Sequence, residues 1–471
     1  MRRWSLLGRI QKLCRPDDPD ERGPSVCGCG RPGYEATSVN IHYRCDETSG
    51  EFRAGVSGVY RCGSPWLCPV CAVGKAFERA EKVQEIAVAT YARGGQVGLL
   101  VLTASHNREQ SLAEVKTLVQ TASGKARKGR AWVDAQADFR ILGVVVGQEV
   151  TYSIENGWHY HQHLSVPVDG PTDAEKALAG GDAGALEEIV RKRAYKAVQW
   201  LAKAYKASIR TAGGKVSDKH GCKFRVADDW EDASDYTAKG SLAWEIAGAH
   251  KTETKSEKGM TPWDIAEAAA AGDAFMRHRW AEYVDVMPGT RSCLVSAALA
   301  KALQIDPTEE EEEEEEEKDE EQQLHDRDDI VGRVDAPVWR VWMRHGLAAT
   351  FLSRIEAGGA AGFDGAVEAT QRDAAPLERA WLAECARREA VKRLQMERDR
   401  PRREAERKAR LAPHAPTPEH IARVAKGSRG DKRGAGAAIR MALDRERDVA
   451  ASLGRRFEPP AMRAVLELMA A

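Results

Sequence analysis

Long apolar runs are missing from this chain: nowhere in its 471 residues do about 18 apolar residues follow one another, the length a membrane-crossing helix needs. The N-terminus, Met1-Arg2-Arg3-Trp4-Ser5-Leu6-Leu7-Gly8, has too short an apolar run for a signal peptide. An excess of one charge is missing too. The 71 Lys and Arg residues meet 72 Asp and Glu, a net charge of −1, so net charge alone marks neither a nucleic-acid nor a membrane partner. A soluble intracellular protein is expected. In that compartment the 10 cysteines are thiols or metal ligands rather than a disulfide framework.

Histidine is also scarce, at 12 residues, yet three of them fall within five positions of Gly157-Trp158-His159-Tyr160-His161-Gln162-His163-Leu164-Ser165-Val166. Tyr160, Leu164, Val166 and Val168 are strand formers, and Asn156-Gly157 before them signals a turn. Side chains alternate faces along a strand, so His159, His161 and His163 share one. Imidazoles stacked in this way suit a metal ion or a phosphate. A polar strand face satisfied by hydrogen bonds is the plainer alternative.

Gly143-Val144-Val145-Val146-Gly147-Gln148-Glu149-Val150-Thr151-Tyr152 reads as a preceding strand, and the two make a β-hairpin. A three-residue loop at 155–157 pairs 154 with 158 and sets Glu149 against His163 on the same face. A two-residue Asn-Gly turn would put Glu149 on the opposite face. The three-residue loop is expected, because an isolated carboxylate in so apolar a strand needs a partner.

Six cysteines lie between 27 and 71: Cys27, Cys29, Cys45, Cys62, Cys68 and Cys71. Cys68-Pro69-Val70-Cys71 is a CxxC knuckle, whose two thiolates can grip one Zn²⁺ while a closed tetrahedral site takes two more. A redox pair is the other use of such spacing. So many cysteines in one window favour structural zinc. Cys29, Cys62, Cys68 and Cys71 are the expected ligands, with Cys27 and Cys45 as spares.

Along the chain, 1–26 reads as a flexible leader and 27–95 as the cysteine-rich zinc module with a helix from Ala72 to Tyr91. Val97-Gly98-Leu99-Leu100-Val101-Leu102-Thr103 is short and apolar enough for a buried strand. Residues 111–135 read as a helix broken near Gly124, carrying the basic cluster Lys125, Arg127, Lys128 and Arg130, a candidate DNA contact or a solvated helix face. Residues 172–212 and 260–303 are helical, the second with a break at Pro288-Gly289. Glu309 to Glu317 form an acidic run, which predicts a disordered linker over 306–330. Residues 331–471 read as a helical, partly disordered C-terminal region whose Arg-rich stretch 387–410 could track phosphates.

With these pieces placed, the chain resembles plasmid rolling-circle replication initiators of the histidine–hydrophobic–histidine (HUH) endonuclease superfamily. Leu99-Leu100-Val101-Leu102-Thr103 is similar to the first family motif, His161-Gln162-His163 to the second, and Tyr236-Thr237-Ala238-Lys239 to the third. Cys62-Gly63-Ser64-Pro65-Trp66-Leu67-Cys68-Pro69-Val70-Cys71 resembles a cysteine block that precedes the first motif in one subgroup. The match covers about residues 27–305 and leaves 320–471 without a counterpart. Gln162 departs from the family's bulky hydrophobic, and Asp232 stands where one subgroup has glutamate.

The resemblance implies an α+β fold: a central antiparallel sheet with flanking helices over 96–305, an N-terminal zinc-binding module and a mostly helical C-terminal region. It implies a metal-dependent single-strand endonuclease of the bacterial cytoplasm. Its Mn²⁺ or Mg²⁺ would be held by His161, His163 and Glu149, with His159 in support. Tyr236 would be the nucleophile, helped by Lys239 and Asp232. Partners would be plasmid origin DNA, single-stranded or extruded as a hairpin, and the host helicase and polymerase. Trp132, Trp158 and Trp230 are candidates to stack on bases. Other readings are a histidine-triad nucleotide hydrolase, a relaxase or transposase of the same superfamily, and a non-catalytic zinc-dependent DNA-binding protein.

Overall fold

A computed structural model of the chain describes residues 2–16, 21–45, 52–229, 232–233, 259–305, 329–427 and 434–471. Its strands, in chain order, are β1 (Ser38–Cys45), β2 (Phe52–Ser57), β3 (Gln96–Thr103), β4 (Val145–Ser153), β5 (Gly157–Val168), β6 (Cys222–Val226), β7 (Cys293–Val295) and β8 (Ile330–Asp335). They form two sheets, β2-β1-β8 and β6-β3-β5-β4-β7, with every pairing antiparallel. The fold is thus α+β, as expected. Among the described residues no helix is long and apolar enough to cross a membrane.

The chain divides into two compact units, Met1–Ala375 and Pro376–Ala471. In the first, helix α1 (Arg2–Leu13) buries Leu6, Leu7 and Ile10, apolar residues at the spacing of one helix face. Gln11 Nε2 donates to the carbonyls of Val26 at 3.0 Å and Cys29 at 2.7 Å. The flexible leader expected over 1–26 is therefore corrected for residues 2–13, whose apolar face has a core to enter. A boundary expected at 330/331 is also displaced. β8 pairs with β1, and Val39, Ile41, Val334, Trp339, Trp342 and Phe351 share one core. The acidic run 309–317 lies outside the described residues.

The five-stranded sheet explains why the site is where it is. Even-numbered residues of β4 and β5 (Val146, Val150, Tyr152, Trp158, Tyr160, Leu164) are buried in the main core. Helices α3 (Leu112–Ala126) and α6 (Ala183–Thr211) cover that face, inserting Val115, Val119, Ala194, Val198 and Leu201. Among the described residues, the odd-numbered face is covered at one end only. There Val97 and Val145 pack with Val83, Ile86 and Ala87 of α2 (Cys71–Ala92) and with Leu299. The other end of that face carries the histidines.

The helix break expected near Gly124 falls later. α3 runs to Ala126 with Arg127 as its C-cap, and α4 (Arg130–Asp138) starts after Gly129, whose φ of 78° is the positive region that glycine alone enters freely. The second unit is helical, with Ile421, Ala425, Ile439, Ala442, Val465 and Met469 as its core. In it Glu446 is bonded by His414 at 2.8 Å and His420 at 2.9 Å.

Candidate metal centre

β4 and β5 are joined by three residues, Ile154, Glu155 and Asn156, with Ser153 paired to Gly157. Glu149 consequently lies opposite His161. The loop at 155–157 and the Glu149–His163 pairing are corrected, and the cause is Gly157. Its φ of 78° lets it close the turn as the first residue of β5 rather than sit inside the loop. Asn107 and Arg108 also press against it. A Cβ there would stand 2.7 Å from the Arg108 Cα. The slip is two residues, so parity is kept and Glu149 stays on the histidine face.

On that face Nε2 of His161 and Nε2 of His163 each lie 3.1 Å from the same oxygen, Oε2 of Glu149. The side chains are 12%, 7% and 15% exposed. One donor atom from each of the three residues lies within 4.8 Å of the others. Nδ1 of His161 is buried without a hydrogen-bond partner. Two imidazoles and a carboxylate converging on one point fit a divalent cation of intermediate softness.

His159 extends the row: ring centroids are 4.8 Å apart from His159 to His161 and again from His161 to His163. The row has a fourth member that the sequence did not reveal. His106, just past β3, places Nε2 2.8 Å from Nδ1 of His159 and Nδ1 2.9 Å from the Asn156 carbonyl. A carbonyl only accepts, so Nδ1 of His106 carries a proton. One proton joins Nε2 of His106 to Nδ1 of His159, so each ring holds the other in place. Burial, with the neighbouring imidazoles of His161 and His106 adding to it, pushes His159 down to about 3, so it is neutral at pH 7. Nothing in the spacing of His106 links it to His159. The close approach permitted at Gly157 does.

Behind the row, Gln162 faces the core and keeps its Oε1 without a partner. Beside it Gln120 donates to Gln148 at 2.7 Å and to the Tyr160 hydroxyl at 2.9 Å, and Tyr160 donates to Gln148. The layer under the histidine strand is therefore polar where a hydrophobic residue would be usual.

The remaining candidate residues are dispersed. Tyr236, Lys239 and Trp230 lie outside the described residues. Asp232 is gripped by both terminal guanidinium nitrogens of Arg225, Nη1 and Nη2, and by the Asp228 amide at 2.9 Å. Burial raises its pKa, but the Arg225 hydrogen bond, the Asp228 amide and the charges of Arg225 and Arg191 together outweigh it and hold the carboxyl below its usual range. Trp132 and Trp158 are buried, so neither can stack on a base. Lys125, Lys128 and Arg130 are exposed, but they sit on α3 and α4 or between them, and α3 packs on the sheet face opposite the histidines. Arg127 folds back on Ser123, and Arg130 pairs with Asp134 at 2.7 Å.

A second cluster stands at the start of α2. Cys29 is 3.6 Å from Cys71 and 3.5 Å from Cys68, and Cys62 is 3.8 Å from Cys71, sulfur to sulfur. All four sulfurs lie within 4.8 Å of one another. A tetrahedron with Zn–S near 2.3 Å has edges of about 3.8 Å, so the set fits zinc. The Cys71 amide donates to Cys68 Sγ at 3.3 Å. Hydrogen bonds from Cys29, then Cys62 and Cys68, hold the Cys71 thiol far below its usual value. Cys27 and Cys45 are outside the cluster.

No protein-family model matches the chain, and no solved structure matches it. Among curated proteins, a Streptomyces lividans protein named Protein rep is 27% identical over 304 residues, 53% of this chain and 65% of that protein. A Streptomyces cyanogenus protein named Neomycin resistance protein is 28% identical over 143 residues, 25% of this chain and 33% of that protein. The chain thus spans less than two thirds of the length of either relative. It resembles a Rep protein both in its motif order and in this relative.

Proposed function

We propose that the protein acts in plasmid replication by nicking one DNA strand at the origin through Tyr236 and later rejoining strands. The observation that carries this reading is the convergence of His161, His163 and Glu149 on one point of an open sheet face. Similarity to a protein named Protein rep supports it.

The reaction is a transesterification. The Tyr236 oxygen attacks phosphorus, the bond from phosphorus to the 3′ oxygen breaks, and the phenol proton leaves to a base as the 3′ oxygen gains one. A 5′-phosphotyrosine and a 3′-OH result, and the bond energy is kept for rejoining. A phenol with a pKa near 10 is a poor nucleophile at neutral pH. Mn²⁺ or Mg²⁺ held by Glu149, His161 and His163 would polarise the scissile phosphate. Lys239 stabilises the phenolate or holds the phosphate. Asp232, ionised by its Arg225 pair, is a weak proton acceptor suited to orienting water or a hydroxyl in the second cleavage. His106 fixes the His159 ring beside the two ligand histidines. The four cysteines hold structural Zn²⁺. Host helicase and polymerase would extend the 3′ end in the bacterial cytoplasm.

The test is incubation with single-stranded plasmid-origin DNA and Mn²⁺, followed by mass spectrometry of the protein. A nucleotide adduct on Tyr236, abolished with cleavage in Tyr236→Phe, is expected. Cleavage without an adduct, an adduct on Tyr195, or full activity of Tyr236→Phe as a nucleotide hydrolase would show, overturns the assignment.

A further inference from the structure

Positive charge on this molecule has to be sorted by sheet face before it can be matched to a ligand. The basic cluster at 125–130 belongs to helices of the covered side. The histidine face has its own cations, scattered in sequence and gathered by β6. Lys223 pairs with Val101, Val101 with His163, and His163 with Gly147. Directly opposed residues of antiparallel strands share a face, so Lys223 stands on the face of the metal centre. Two strand spacings separate its Cα from that of His163, about 10 Å. Val101 alone lies between them, and Gly147 beyond adds no side chain.

The chain before β6 continues along the same edge of β3. Thr103 N donates to the Gly221 carbonyl at 3.1 Å, and Ser105 N to the Lys215 carbonyl at 2.9 Å. Thr103 itself pairs with His161. Lys215 and Lys223 therefore bracket the row of the metal centre, at β3 positions four residues or about 13 Å apart. Lys219 is in the turn between them. All three lysines are exposed. Among the described residues none has a carboxylate partner, and Asp218, the acidic residue of this stretch, is taken by Arg210.

We propose that single-stranded DNA reaches the Glu149–His161–His163 centre across the β6 edge, its phosphates held by Lys215, Lys219 and Lys223. The inference rests on the nicking reading above, and it names where the substrate runs. Lysine ammoniums act on phosphates as point charges and read no base, so the contact is independent of sequence.

The full-length protein is titrated with a fluorescent oligothymidylate of about 20 nucleotides, without added divalent cation, over a range of salt. Each phosphate neutralised on a single strand contributes about −0.7 to the slope of log K against log salt. Lys215→Gln/Lys219→Gln/Lys223→Gln is expected to flatten that slope by about 2. The arginine triple at the same positions keeps it, and Lys125→Gln/Lys128→Gln/Arg130→Gln leaves it near wild type. An unchanged slope in the first triple, or an equal loss in the last, overturns the proposal. Because binding is read without cleavage, a Tyr236 adduct with an unchanged slope sinks this edge alone. A flattened slope with no adduct sinks the nicking reading and leaves the edge as a DNA contact.

Discussion

Replacing Cys68 by serine should strip a metal and loosen the N-terminal part of the first unit. Three sulfur separations in the cluster, 3.5, 3.6 and 3.8 Å, stand within a few tenths of an ångström of the edge of a zinc–thiolate tetrahedron, about 3.8 Å. Cys29 and Cys68 are wholly buried in the same core as Leu7, Ile10, Val26 and Leu67. Cys71 opens α2, so the cluster joins α1, the cysteine turn and α2 at one point. Structural zinc in small folds contributes about 10–16 kcal/mol. A unit with a core of its own realises only part of that, and about 4 kcal/mol is a conservative share. At about 2–4 °C per kcal/mol for 150–250 residues, and less for a longer unit, the melting temperature should fall by about 5–10 °C. Metal analysis of the purified protein should give one zinc per chain, and a strong chelator should reproduce the shift. Cys27→Ser is the comparison. Its thiol lies outside the tetrahedron, 4.0 Å from the Gln11 carbonyl, so zinc content should hold and melting move by no more than about 1–2 °C. Protein purified without zinc, or equal metal loss from both variants, would refute the reasoning.

Glu149→Ala removes the oxygen on which both imidazoles converge, and Mn²⁺ affinity read by electron paramagnetic resonance should fall at least about tenfold; an unchanged affinity would place the cation elsewhere. Acid sensitivity should come partly from Glu175. The Arg193 hydrogen bond, then the Thr172 amide, lower its carboxyl from 4.5 to about 2. A lowered carboxylate stabilises the fold above its ordinary pKa, so this share is whole above about pH 4.5 and fades toward about pH 2. With a quarter of the side chain exposed, about 1–2 kcal/mol is a fair size, and Glu175→Gln should flatten the stability profile across that window. An identical profile in the variant would show that the pair contributes nothing.

Much of the site could be read from residue order, because local periodicity controls it. Apolar runs located β3, β4 and β5, and alternation put three histidines on one face. The CxxC knuckle and its flanking cysteines contain the set that the fold draws together. What escaped is set by contacts between distant segments. β1 and β8 form one sheet, although nothing in Ile330–Asp335 alone names its partner. α1 reads as leader until the core that receives Leu7 and Ile10 is known. His106 joins the histidine row only because Gly157 lets residues 107 and 108 approach the turn.

The hairpin and the lysines make one physical point about what a strand pattern can and cannot decide. A register two residues away from the expected one sets Glu149 opposite His161 instead of His163 and still leaves it on the histidine face, because the pleat has period two. Parity was the quantity that mattered, and the need to pair a carboxylate was enough to fix it. Helix charges carry no such constraint. Lys125, Lys128 and Arg130 look concentrated because they are neighbours in sequence, yet α3 and α4 turn Val115, Val119 and Trp132 into the core under the covered face of the sheet and take them with it. Lys215 and Lys223 look dilute, yet the Ser105 hydrogen bond and the Val101 pairing set both along the histidine face, with Lys219 in the turn between them. A charge becomes a ligand contact only once the fold has given it a side. On this sheet the side is settled by which half of each strand is apolar enough to be covered.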